Sequence, residues 1–411
     1  MKKNSKNFFY ALDIGSKKMT LAAAELGRDN DLGSIMIESR PSKGIFKGIV
    51  NDLAALSEAI QQLFAKMEAR CQGKATHVAV SINGNYINAR NSITAIALSE
   101  RGTRSITQRD VERLNLQART LGLELNEYLL HEFPQGYSID RHNTTLRPLG
   151  LHGRKFEMEL LLICADAGYI ENVSKAVEQA GFDIVQMAFS GIAASEAVLS
   201  MEEKEKGAIL IDIGDALTSI LIFKDGVPRR IHVLSFGGRN LSEIISNYFK
   251  IPCDLADEIK EASLVIEQEI PEAEEVMVKT DAVFRSIKKK ELVGITLPEI
   301  EKFIGTLKSI IFECGVTGVS GMPIVVTGGL SLLEGLLEKM ERDLGYPVKM
   351  GIAKGLQDVP ASKAPAYASA IGLLYMQRDV FARIGPKLQA EGKNKLAKIL
   401  DYITNLYQDY F

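Results

Sequence analysis

The sequence predicts an α/β fold built twice over, with a cleft between the halves and two inserted subdomains. Three observations carry this reading. Residues 8–26 (FFYALDIGSKKMTLAAAEL) and 207–226 (GAILIDIGDALTSILIFKDG) share one grammar: an apolar strand, Asp-Ile-Gly, a tight turn and a second apolar strand. Helical patterns alternate with these and other strands, as helices packed on sheets require. Residues 322–340 (MPIVVTGGLSLLEGLLEKM) read as a strand, a Gly-Gly turn and an amphipathic helix.

Elsewhere the order of elements follows the same rhythm. Apolar residues from Leu53 to Met67 recur at helical spacing behind Asn51 or Asp52 as N-cap. HVAVSINGNYI is a strand ending in Asn-Gly, and ADAGYIENVSKAVEQAGFDIV a helix ending at Gly181 followed by a strand. Two regions break the rhythm. Residues 85–162 hold a helix (TQRDVERLNLQARTL) and two strands around a Pro-Gly-rich loop, an inserted α+β subdomain. Residues 239–317 read as mostly helical, with the acidic run from Glu267 to Glu275 as a solvated face.

The expected division is 1–84 with 163–200 for the first half, and 201–238 with 318–378 for the second. The insertions take 85–162 and 239–317. A linker marked by Gly385, Pro386 and Gly392 spans 379–395. Beyond it, Leu396, Ile399, Leu400, Ile403, Leu406, Tyr407 and Tyr410 fall on one face of a terminal amphipathic helix that ends at Phe411. Its lysines are offset by Asp401 and Asp409, so attraction to a membrane surface would rest on apolar burial more than on charge.

Composition bounds the function. The 411 residues, 46% hydrophobic and 25% charged, suit a soluble globular chain of roughly two to four domains. Net charge is −3, from 49 Lys and Arg against 52 Asp and Glu, so no nucleic-acid partner is expected through a global basic field. Cys71, Cys164, Cys253 and Cys314 are widely spaced and read as reduced structural thiols. The histidines at 77, 131, 142, 152 and 232 lack metal-ligand spacing. The N-terminal apolar run stops at Asp13, short of a secretory signal, and no stretch reaches the ~20 apolar residues that span a bilayer.

A strand that ends in Asp-x-Gly and turns sharply can hold phosphate and metal. The glycine lets backbone N–H groups approach phosphate oxygens, and the aspartate can hold Mg²⁺ through water. Two such turns facing each other would clamp a nucleotide, with the later Gly-Gly turn admitting a nucleoside at a helix N-terminus.

The motifs ALDIGSKK, LIDIGDALTSILIFKDG, IVVTGGLSLLEGL and YASAIGLLYM resemble the actin/DnaK ATPase superfamily. Within it, YSIDRHNTTLRPLGLHGRKFEMELLLIC, SKGIFKGIVND and LADEIK are similar to the FtsA family of bacterial cell-division proteins, over about residues 10–376. The resemblance implies an actin-like (ribonuclease-H-like) fold with the family's subdomain inserted after the first half's third strand. It implies a protein that binds ATP with Mg²⁺ and polymerises. It also implies a peripheral protein on the cytoplasmic face of the inner membrane, which ties FtsZ filaments there by binding the FtsZ C-terminal tail.

Carried onto this sequence, Asp13, Gly15, Ser16 and Lys18 form the first phosphate turn, and Asp212 and Gly214 the second. Asp13 and Asp212 are the metal candidates. Gly328 and Gly329 lie in the adenosine motif, and Asp257 with Lys260 matches the acid–lysine pair that faces ribose and base. Arg285, Lys288 and Lys289 fall in the region that receives the FtsZ tail, and the terminal helix is the membrane element. Departures cluster at the nucleotide. Asp215-Ala216-Leu217 replaces small residues, Leu330 replaces a glycine, and Ser190-Gly191 stands where Glu-Pro would orient water. A carboxylate ~4 Å from a phosphate charge costs ~4 kcal/mol at an effective dielectric of ~20. The expectation is weakened ATP binding and no appreciable hydrolysis. Two alternatives stay open: a pilus-assembly scaffold of the PilM type, and an active ATPase or sugar-kinase-like enzyme.

Overall fold

The computed structural model describes residues 8–27, 31–141, 144–266, 274–280, 283–314, 322–356 and 359–390. The amphipathic segment expected over 396–411 lies outside them.

Two five-stranded sheets match strand for strand. In the first, Asp183–Phe189 and His77–Ile82 run parallel to Phe8–Ile14, which turns back into Lys18–Glu25 and then Met36–Pro41. In the second, Val348–Met350 and Ile324–Thr327 run parallel to Ala208–Ile213, which turns back into Thr218–Lys224 and Val227–Leu234. The central strands are apolar on both faces because helices cover both. Ala11 and Leu12 are as fully buried as Leu210 and Ile211.

Helix Leu53–Cys71 starts where Asp52 accepts a hydrogen bond from Ala55 N at 3.0 Å, and it buries Leu56, Ile60, Leu63, Phe64 and Met67 against the first sheet. Helix Ala368–Ala390 crosses Ser190–Val198 so closely that Gly372 lies against the Ala193 carbonyl. The inserted subdomain is a three-stranded antiparallel sheet, Ile87–Ala97, Lys155–Asp166 and Glu127–Ile139, covered by helix Gln108–Gly122. It has its own core around Ile96, Leu114, Phe156 and Leu162. His131 fastens it to the first half: Phe189 N donates to His131 Nε2 at 2.9 Å, and burial pushes that ring down to about 4.

Three expectations need correction. The insertion follows the fourth strand of its sheet, His77–Ile82, since Met36–Pro41 is also a strand. MIESRP is polar and only partly buried, so it gave no apolar run to read. The second insertion is mostly helical, as expected, and between Cys253–Ser263 and Lys289–Glu313 it also holds the hairpin Glu275–Thr280 with Val283–Lys288, in which alternating β-branched residues outweigh the acidic context. The Gly-Gly turn leads into a 3₁₀ turn, Gly329–Leu332, and the α-helix starts only at Leu336. Ser331 Oγ donates back to Gly328 O at 2.7 Å and tightens that turn. Finally, residues 379–390 continue helix Ala368–Ala390 through Gly385 and Pro386. Once a helix is nucleated on buried Ile371 and Leu374, each further residue costs little, and one proline removes one N–H donor.

Candidate functional site

Each sheet carries an aspartate one residue before the end of its first strand, and the register places hydroxyl residues beside both. Asp13 lies opposite Thr20 and Ser81; Asp212 lies opposite Ser219 and Thr327. Ser81 Oγ donates to Asp13 Oδ1 at 2.7 Å. Burial pushes Asp13 up to about 6, against the Ser81 hydrogen bond and the Lys18 charge. Burial, then the charge of Asp13, push Asp212 up to about 7, with the Ser369 hydroxyl acting the other way. The charge of Asp13 reaches Asp212, and Asn83 of the first half bonds Ser219, the residue opposite Asp212, at 2.9 Å, so the paired turns lie on one crevice.

The turns need their glycines for contact rather than for φ. A Cβ on Gly15 would stand 2.8 Å from Lys18 O, and one on Gly214 3.0 Å from Leu217 O. Gly328, at φ +87°, presses on Asp212 and Ile213, where a Cβ would meet Asp212 Oδ1 at 2.5 Å. A Cβ on Gly329 would meet nothing within 4 Å, so backbone there borders open space. Ser16 sits half-buried in the first turn. Lys18 lies over the Tyr367 ring at 3.8 Å, and burial pulls its ammonium down to about 8 despite Asp13.

Asp257 and Lys260 lie on helix Cys253–Ser263 and form one buried network. Lys260 Nζ donates to Asp257 Oδ1 at 2.5 Å, to Ser242 Oγ at 2.9 Å and to Gly238 O at 3.0 Å. Lys17 reaches this network from the first half and pairs with both Asp257 and Glu261. Sequence reasoning chose Lys18 and missed Lys17, because its partners stand 240 and 244 residues away. Further bonds cross the cleft: Asn83 Nδ2 donates to Ser219 Oγ at 2.9 Å and Asn85 Nδ2 to Ser235 Oγ at 2.6 Å.

Asp215 does not confront a phosphate unpaired. Its Oδ2 accepts from Arg239 Nε at 3.0 Å, and the Arg239 guanidinium lies 5.5 Å from the Phe46 ring of the first half. Sequence reasoning missed Arg239, although GGRN follows strand Val227–Leu234 after only two residues.

An Mg²⁺ nucleotide fits these residues. Thr20 Oγ1, beside Asp13, and Asn83 Oδ1 are buried without a hydrogen-bond partner. A divalent cation would offset the Asp13–Asp212 repulsion. Among the described residues no three acidic, His or Cys side chains converge, so the rest of its shell would be water and phosphate oxygen. A groove of about 530 Å³ lies outside this crevice, between residues 85–89 and 231–235. The predicted partner cluster is a strand end and helix start: the backbone of Arg285 pairs opposite Val278, exposed Lys288 ends its strand, and Lys289 Nζ pairs with Glu274 at 2.8 Å. Among the described residues no helix is long and apolar enough to cross a membrane.

Matched sheets, facing Asp-x-Gly turns and a cleft between them define an actin-like protein. Solved structures agree. The PilM–PilN type IV pilus biogenesis complex aligns over 90% of this chain and 98% of its own at TM-score 0.64 and 17% identity. MreB5 of Spiroplasma citri bound to ADP aligns over 92% and 98% at TM-score 0.52 and 13% identity. The family described as "Cell division protein FtsA" matches residues 209–372, and "SHS2 domain inserted in FTSA" matches 84–164, together more than half of the chain. The FtsA of Buchnera aphidicola is 28% identical over 99% of both chains. That of Neisseria meningitidis is 28% identical over 90% of this chain and 89% of its own. The chain belongs to the FtsA family.

Proposed function

We propose that this protein is a division scaffold that polymerises and ties FtsZ filaments to the inner membrane from the cytoplasmic face, with ATP as a structural ligand more than a fuel. The inserted subdomain is the observation that carries this reading. It replaces no part of either half, it has its own core, and it matches the FtsA-specific insertion over residues 84–164. Its sheet leaves Ile87–Ala97 and Glu127–Ile139 as edges, and Ile93, Leu116, Leu121 and Leu125 are exposed on it. An edge and apolar surface away from the crevice suit a head-to-tail contact that repeats without closing.

ATP with Mg²⁺ is supported by the paired turns and by ADP in the MreB5 structure. Asp13 and Asp212 would hold the cation, which would supply charge neutralisation at the phosphates. Weak hydrolysis follows from Ser190, a buried hydroxyl where a carboxylate would orient water. The FtsZ tail would dock near Lys288 and the hairpin that ends in it. A basic edge suits an acidic peptide with an apolar anchor. The terminal segment 396–411 would lie in the lipid headgroup layer.

Fluorescence titration of an FtsZ C-terminal tail peptide tests the docking site. Arg285→Glu with Lys288→Glu is expected to weaken binding about tenfold or more, and unchanged affinity would remove the site from this region.

A further inference from the structure

We propose that Arg239 reads the terminal phosphate of a bound nucleotide, with Asp215 as its positioning partner. This deepens the nucleotide reading given above and rests on it.

Asp215 puts a carboxylate, 8% exposed, in a loop whose partner turn is built from Gly15 and Ser16. A desolvated charge there must be paired. Arg239 pairs it, and the backbone fixes how. Gly238 N donates to Gly214 O at 3.0 Å and Arg239 N to Asp215 O at 2.7 Å. A side chain on Gly237 would collide with the Asp215 backbone. Residues 214–215 and 237–239 are thus one rigid unit, and the guanidinium starts from a fixed point beside the turn.

Asp215 takes only Nε. The two amino groups of Arg239 stay outside that bond, in the planar arrangement that matches two phosphate oxygens. The guanidinium also lies against Phe46 on hairpin Ile45–Phe46 and Ile49–Val50, so it links the second turn to the first half. Lys47 shares the Phe46 ring with Arg239 but belongs to the first half, and the two lysines beside the first turn are otherwise engaged. Lys17 is held by Asp257 and Glu261, and Lys18 lies over Tyr367 beside Asp13. Arg239 is the cation fastened to the second turn itself. A triphosphate brings a further anionic group to that end, for the two amino groups that Asp215 leaves outside its bond; a diphosphate does so less.

Calorimetric titration of Mg·ATP and Mg·ADP into the full chain tests this, using Arg239→Ala, Arg239→Lys and Asp215→Asn. Arg239→Ala is expected to weaken ATP about tenfold or more and ADP less than about threefold. Lysine should restore part of that difference. Asp215→Asn should loosen Arg239, weaken ATP about threefold or more and leave ADP unchanged. Equal effects on both nucleotides, or none, overturn the role of Arg239 and leave the crevice reading intact. Failure of the unmodified chain to bind either nucleotide overturns both together. If Arg239→Ala does not fold, the ATP-to-ADP ratio of Asp215→Asn decides alone.

Discussion

Replacing Gly372 by alanine is expected to destabilise the protein by about 2–4 kcal/mol, although alanine is the better helix former. In an exposed helix interior the exchange would gain about 0.5–1 kcal/mol. Gly372, however, lies where helix Ala368–Ala390 crosses Ser190–Val198, and its Cβ would run into the Ala193 carbonyl and press on Ala197 N. Backbone cannot rotate aside as a side chain does, so the two helices must part. That separation would open the packing of buried Ala193, Ile371 and Leu374. The control is Gly305→Ala in helix Lys289–Glu313, where a Cβ meets nothing within 4 Å. Thermal unfolding should show opposite signs: a midpoint lower by several degrees for Gly372→Ala and slightly higher for Gly305→Ala. Equal small gains at both sites would mean that the close crossing is wrong.

Asp212→Asn is expected to stabilise the cation-free protein above neutral pH and to abolish stabilisation by Mg·ATP. In the folded chain burial raises Asp212 to about 7 and Asp13 to about 6, well above an ordinary aspartate. The folded state therefore binds more protons than the unfolded one between pH ~4 and ~7, and stability falls as pH rises through that window. At pH 8 both groups are charged and face each other. Removing one should add about 1–3 kcal/mol in chelator, a gain that fades as pH drops to ~4. Melting curves at pH 5 and 8, with chelator and with Mg·ATP, read both arms. A variant less stable than the parent at pH 8 in chelator would contradict the coupled pair.

Much of this architecture was legible because duplication repeats its own signal. Asp13 and Asp212 sit in matching apolar runs, and buried strands read as uninterrupted hydrophobic stretches. What stayed hidden was weakly apolar or distant in sequence. Met36–Pro41 is a polar edge strand, and the hairpin at Glu275–Thr280 follows an acidic stretch that suggests solvent. At the site, the residues fixed by glycine turns were found, whereas Lys17 and Arg239 were not. Long cations carry no periodicity, and their partners lie far along the chain or follow an unexpected Asp215. The side chain that looked most hostile to nucleotide is the one that holds an arginine at the turn.

The proposed role of this chain is a bridge between FtsZ and lipid. Flotation of FtsZ with vesicles of phosphatidylethanolamine and phosphatidylglycerol tests it most directly. The account predicts that FtsZ rises with the vesicles only when the full chain is present. It should remain below when residues 393–411 are removed or when FtsZ lacks its C-terminal tail. FtsZ left at the bottom beside vesicles that carry the full chain, or equal flotation with the truncated one, would contradict it.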